Sequence, residues 1–212
     1  MTKPVLILGA GGHAKVLVEA LLANSAIIAG IVDADIALTG MKLLGVPVIG
    51  GDDLVSQFPQ DEILLVNGIG SIKQPVRRQE VFRKFKELGY SFATVVHPSA
   101  VVASDVELGE GVQIMAGAVI QPGSRIGGNA VINTRASVDH DCVIGVHVHI
   151  APGVTLSGGV EVGRGSHIGT GATVIQGVGI GEESLVGAGA LVLHDVPTSV
   201  TVMGVPARVV KR

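Results

Sequence analysis

The chain has 212 residues, enough for one or two domains with a sizeable core. It is 47% hydrophobic but 2% aromatic, with 31 glycines, so its core is packed from aliphatic side chains and its glycines mark regular turns rather than disorder. A formal net charge of −3 lacks the basic footprint of a nucleic-acid binder, and no run approaches the ~18 apolar residues that insert into a bilayer.

The first apolar stretch, Val5 to Leu8, runs into Gly9-Ala10-Gly11-Gly12-His13-Ala14. No positive segment precedes it and no cleavage-type site follows, so it reads as a strand rather than a secretion signal. A helical pattern over Lys15 to Leu22 leads to a second strand, Ile27 to Val32, ending at Asp33. A third strand, Ile63 to Val66, ends in Asn67-Gly68-Ile69-Gly70. Residues 75–88 have apolar positions at helical spacing, and a last strand is expected near Ser91 to Val95. This order describes a small parallel α/β unit.

Its first turn, Gly9-x-Gly11-x-x-Ala14 with Asp33 further on, satisfies the dinucleotide fingerprint formally. A dinucleotide needs two mononucleotide halves across a switch point, and too little chain precedes residue 95 to build both. A mononucleotide-linked ligand on the helix N-terminus fits better, and a purely structural glycine turn is the plain alternative.

From Val96 to Val192 every sixth residue is aliphatic, seventeen positions in all, and Thr198 ends the series. The residue two before each aliphatic is small or medium-sized. A longer period is superposed: an aliphatic-Gly pair falls at 108, 126, 144, 162 and 180. Three hexads therefore make one triangular coil, and each coil stacks on the next at the usual strand spacing of ~4.8 Å. The recurring glycine is expected to take positive φ at its corner. One coil cannot bury its own core, but a stack of five to six over residues 95–197 can. Residues 1–94 then form the α/β domain, 95–197 the coil and 198–212 a C-terminal tail.

Three ionisable residues, Asp139, His140 and Asp141, stand together at one corner. Pro122 and Gly158 occupy that corner one coil before and after, so the repeat does not demand a histidine there. A solvated surface histidine and a base oriented by a neighbouring acid are both open readings. Cys142 falls in an interior slot, which argues against a nucleophile, and as the single cysteine it agrees with a reducing cytoplasm. His149 and His167 lie one coil apart on one face. No third ligand matches them, so they read as two stacked surface histidines rather than a metal site, and no metal is expected.

These segments resemble a known family. GAGGHA at 9–14, INT at 132–134, VDHDC at 138–142, HIAPG at 149–153, IGTGATV at 168–174, VGAGA at 186–190 and MGVPAR at 203–208 follow the order of the NeuD/PglD-type sugar O-/N-acetyltransferases. The resemblance implies a Rossmann-like N-terminal domain, a left-handed parallel β-helix and a homotrimer with acetyl-CoA between neighbouring prisms. His140 would be the general base and Asp141 its partner. His149 would lie near the thioester, with Thr170 and Ala188 along the pantetheine. Gly11, Gly12, His13, Asp33, Gly68, Ile69 and Gly70 would hold the nucleotide of the acceptor. Many relatives have Asn where this chain has Ser71, and some have an acid where it has Ala34, which bears on the nucleotide and not on acetyl transfer. The implied activity is N-acetylation of a nucleotide-linked amino sugar. O-acetylation of a sugar or sialic acid is the alternative, and a non-catalytic nucleotide-sugar-binding β-helix the second. Between Val143 and Gly163 the only charged residue is Glu161, which suits a face buried against another copy.

Overall fold

A computed structural model describes residues 3–71 and 76–210. Pro75, the first residue of the second expected helix, lies outside that range, as do the extreme ends of the first and last expected segments.

The N-terminal part is a five-stranded sheet between two helices. Strands β1 (Val5–Leu8), β2 (Ile28–Val32), β4 (Val46–Gly50) and β5 (Leu64–Asn67) run parallel, and β3 (Lys42–Leu43) pairs antiparallel with β4. The sheet order is β3-β4-β2-β1-β5. Alternation along β1 sorts its side chains between two cores. Val5 and Ile7 pack with Leu17, Val18 and Leu21 of α1 (Gly12–Ala23), while Leu6 and Leu8 pack with Phe85 of α2 (Val76–Glu87). Both faces are covered, as parallel sheets require.

Two features differ from the sequence expectation. The β3–β4 hairpin lies in a stretch without clear alternation. The strand expected over Ser91 to Val95 reduces to one bridge, Phe92 with Leu65, because Val95 leaves the sheet and pairs with Gln113 in the next structure.

That structure is a three-sided parallel β-helix built of two-residue strands. One face begins at Val101–Val102, the second at Glu107–Leu108, and the third at Val95–Val96, each stepping by eighteen residues. From Ile114 to Val192 every aliphatic of the six-residue series is buried, and Val96, Val102 and Leu108 are partly buried at the open first coil. The interior serines Ser124, Ser166 and Ser184 donate to the carbonyls of Asp139, Gly181 and Pro197, so each of these three buried hydroxyls has an acceptor. Thr201–Met203 extends the third face, and Arg208–Val210 folds back antiparallel on it.

The recurring glycine has a different cause from the one expected. Gly109, Gly127, Gly145 and Gly163 do not take positive φ; the left-handed residues are every sixth from Gly111 to Gly189, including Asn129, Arg135, Asp141, His147 and Glu183. A Cβ on Gly109, Gly127, Gly145 or Gly163 would instead stand 2.5–2.7 Å from a backbone nitrogen of the next coil. Close coil stacking, not backbone conformation, excludes a side chain there.

Candidate active site

The glycine turn, residues 68–71 after β5 and one prism edge border a cavity of about 730 Å³. Gly11, Gly12, His13, Asp33, Gly68, Ile69 and Gly70 all line it, and so does His149 from the prism. A Cβ on Gly11 or Gly12 would meet no protein atom within 4 Å, so the start of α1 is bare backbone toward this space. Gly68 is needed for another reason: a Cβ there would stand 2.8 Å from the Leu8 carbonyl oxygen. Asp33 braces the turn, its Oδ2 accepting from Ala10 N at 2.6 Å and its Oδ1 from Asp35 N at 2.8 Å.

A polar network joins this floor to the prism. Gln113 Nε2 donates to the Asn67 carbonyl (2.8 Å), which orients its amide, so His13 Nε2–H donates to Gln113 Oε1 at 2.8 Å. Burial, then the Arg78 charge, lowers the His13 pKa to about 4, and the ring is neutral. Arg78 is 1% exposed, and burial pulls its pKa down to about 9. Its Nη1 donates to the carbonyls of Asn67 (2.7 Å) and Ile69 (3.0 Å), fixing the loop under the cavity.

His149 and His167 pair across adjacent coils with ring centroids 4.8 Å apart. They are not surface histidines: they are 5% and 6% exposed, and His149 meets Ser71 of the α/β unit. Asn133 Oδ1 accepts from Thr134 N, so its Nδ2 donates to His149 Nε2 (3.1 Å), and His149 Nδ1–H donates to Ser71 Oγ (2.5 Å). Burial, then His167, holds the His149 pKa well below the ordinary value. Both ring nitrogens of His149 are thus committed to Ser71 and Asn133, and the ring forms part of the cavity wall. Among the described residues no group of three or more His, Cys, Asp or Glu is placed to hold a metal ion.

His140 is elsewhere. It sits on the edge between the first and second faces, exposed, and does not line the cavity. Its Nδ1 lies 2.8 Å from Asp141 Oδ2, and Asp139 Oδ1 accepts from its backbone N–H. Asp141 takes the left-handed conformation (φ 59), which Asp tolerates and which turns its carboxylate to the ring. That hydrogen bond first, and the charges of Asp139 and Asp141 next, raise the His140 pKa. The neighbouring glycines make room for the pair. A Cβ on Gly158 would stand 2.5 Å from His140 Nε2, and one on Gly123 would strike the Asp141 carboxylate. Cys142 is buried, its thiol donates to the Ser157 carbonyl at 3.3 Å, and burial pushes its pKa up, so it is no nucleophile.

Thr170 and Ala188 lie on another edge, in one column with the cavity residues Thr134 and Pro152. Both are exposed, and among the described residues their amide N–H groups have no acceptor. The adjoining Gly153, Gly171 and Gly189 would meet nothing within 4 Å if given a Cβ. This bare ridge with free donors fits an extended pantetheine arm. Ser71 and Gln113 were not legible as partners of the site histidines, since the signal for each is a hydrogen bond that exists only once the two parts pack together, and Asn133 shows itself only through its bond to His149 on the neighbouring coil.

A parallel β-helix with an oriented histidine on one edge, joined to a glycine-lined α/β cavity, defines a hexapeptide-repeat acyltransferase. Residues 4–85 match the PglD N-terminal domain. Perosamine N-acetyltransferase of Caulobacter crescentus, solved as a histidine variant with CoA and GDP-perosamine, is 44% identical over 100% of this chain and 99% of its own, with a TM-score of 0.92. The acetyltransferase domain of PglB from Neisseria gonorrhoeae, solved with acetyl coenzyme A, is 34% identical over 99% of this chain and 100% of its own, with a TM-score of 0.91. WeeI from Acinetobacter baumannii is 29% identical over 99% and 100%, with a TM-score of 0.80. The chain belongs to the PglD/NeuD-type hexapeptide-repeat sugar acetyltransferases, with their left-handed β-helix.

Proposed function

We propose that the protein transfers the acetyl group of acetyl-CoA to the amino group of a nucleotide-linked amino sugar. The observation that carries this is the His140–Asp141 pair, held on a prism edge by contacts the repeat itself does not require. The full-length similarity to an N-acetyltransferase of GDP-perosamine supports the acceptor class.

Acetyl-CoA supplies an activated acetyl thioester along the ridge of Thr170 and Ala188. His140 keeps its proton on Nδ1, toward Asp141, which leaves the Nε2 lone pair as the base. It takes the proton that the sugar amine loses on bonding to the acetyl carbon, and returns it to the departing sulfur. The glycine turn and the Gly68–Gly70 loop hold the nucleotide, and His149 closes the cavity wall. No acyl-enzyme is needed.

In one chain His140 does not line the acceptor cavity, so the base and the acceptor share a site only if a second copy supplies one of them. A homotrimer with its site between subunits meets that need, and threefold closure is common for soluble homo-oligomers. Among the described residues no helix is long and apolar enough to cross a membrane, and the free Cys142 thiol suits action in the cytoplasm.

The test is release of free CoA thiol across GDP- and UDP-linked amino sugars, free sialic acid and unlinked amino sugars. Turnover is expected with a nucleotide-linked amine alone; turnover only with a hydroxyl acceptor overturns the reading. Sedimentation should give a trimer. Mixing His140→Ala chains with chains substituted in the glycine turn should restore part of the activity, and an active monomer would defeat the shared site.

A further inference from the structure

Helix α2 stands between two cavities. Arg77 and Val81 line the acceptor cavity, while Gln79, Phe82, Arg83 and Lys86 line a second, of about 280 Å³, closed by His147 and Arg164 of the prism. The second cavity brings three cations together from two parts of the chain. Glu110 holds Lys86 at 2.9 Å and Glu182 holds Arg164 at 3.4 Å. Arg83 has neither an ion pair nor a hydrogen bond among the described residues.

The neutral groups of this cavity are donors too. Asn67 Nδ2 donates to the Arg78 carbonyl (2.9 Å) and to Asn129 Oδ1 (3.2 Å), so Asn129 presents its Nδ2 to His147 Nδ1 at 2.9 Å. His147 is thereby fixed with its proton on Nε2, where no acceptor stands among the described residues. Burial, then Arg78, keeps the ring uncharged, with a pKa of about 4. Gln79 Nε2 is buried and also lacks an acceptor. A cavity bordered by free N–H groups and a free guanidinium is short of one thing, which is oxygen.

We propose that the cavity between α2 and the prism is a second anion site, which binds a phosphate-type oxyanion separately from the acceptor. A tetrahedral oxyanion suits donors that converge from several directions, and guanidinium forks match its edges. This site goes beyond the acetyl-transfer reading and does not depend on it. The anion would tie α2 to the prism edge at Arg164. Arg78 on the same helix holds the loop beneath the acceptor cavity, so occupancy would also brace that loop.

Thermal melting of the full chain with inorganic phosphate, and separately with pyrophosphate, tests this. At a hundred times its Kd the anion should raise Tm by roughly 5–10 °C. Arg83→Gln/Arg164→Gln should abolish the phosphate shift, whereas Arg77→Gln, on the other cavity, should keep it. A larger Arg83- and Arg164-dependent shift with pyrophosphate supports the site and identifies a diphosphate group as its natural occupant. Crystals soaked in tungstate should show an anomalous peak between α2 and Arg164. A phosphate shift unchanged in the double variant, or tungstate only at the glycine turn, overturns the proposal. So does a wild type indifferent to phosphate whose double variant sediments as a smaller species, which would give these cations to a subunit contact.

Discussion

The prism and the α/β unit spend their residues differently. Along the prism each hexad repeats one task, so a side chain at a given slot is judged against sixteen equivalents. In the α/β unit each residue has its own surroundings: Gly11 faces open space, Gly68 meets a carbonyl, and Asp33 caps the turn behind it. In the repeat, function therefore shows as departure from a rule. In the unit without a period, it shows only as a cavity.

The largest effect should come from the interior rule. Ile150 is fully buried in the aliphatic column, and Ile150→Asp would place an unpaired carboxylate there. We expect no cooperatively folded protein by circular dichroism. A soluble protein with a normal melt would break the six-residue register.

The departure at the corner comes next. His140→Ala should lower kcat by about 10²–10⁴ with the melting curve unchanged, because the residue is exposed and the corner elsewhere is Pro122 or Gly158. Wild-type turnover would remove His140 from the chemistry.

Two glycines separate the two reasons for glycine within the repeat. Gly127→Ala should cost about 3 kcal/mol or more, since its Cβ would stand 2.5 Å from the backbone nitrogen of Val146. Gly177→Ala, at φ 71 in open space, should cost only about 1 kcal/mol. Urea denaturation measures both, and equal costs would show that conformation and not coil stacking sets the glycine pattern.

This contrast also explains what the sequence could convey. The aliphatic series, the coil length and the exceptional corner at His140 follow from periodicity, so they were readable. The same period could not say why its glycines recur, because clash with the next coil and positive φ leave the same letter. The first glycine turn was readable as a local signal, but the β3–β4 hairpin has no alternation to find. The contact of His149 with Ser71 depends on the α/β unit packing against one face of the prism, and no spacing within the repeat carries that information.

Packing across that face should also make the protein acid-sensitive. Burial lowers the pKa of His13 and His167 to about 4 and holds that of His149 well below its ordinary value, whereas in the unfolded chain they protonate near 6.5. Between these limits the unfolded chain binds protons the folded one refuses, so stability is complete above pH 6.5 and falls toward pH 4. The urea midpoint should drop from pH 7 to pH 5. A flat profile over that range would mean that this face opens readily to water.

The smallest effect should be the most specific. His140 donates from Nδ1 to Asp141 Oδ2, and that bond raises its pKa, so the acid limb of kcat/KM should lie above 6.5 in the wild type. Asn is the conservative change at 141 because, like Asp, it accepts the left-handed backbone found there (φ 59) and keeps an oxygen for the Nδ1 proton. Removing the charge should lower the His140 pKa, so the unprotonated base persists to lower pH and the acid limb of Asp141→Asn shifts down. Its kcat at pH 8 should fall less than in His140→Ala, where the base itself is gone. An acid limb that does not move would mean that Asp141 orients the ring without tuning it. A loss larger than that of His140→Ala would mean that the base and its partner are reversed.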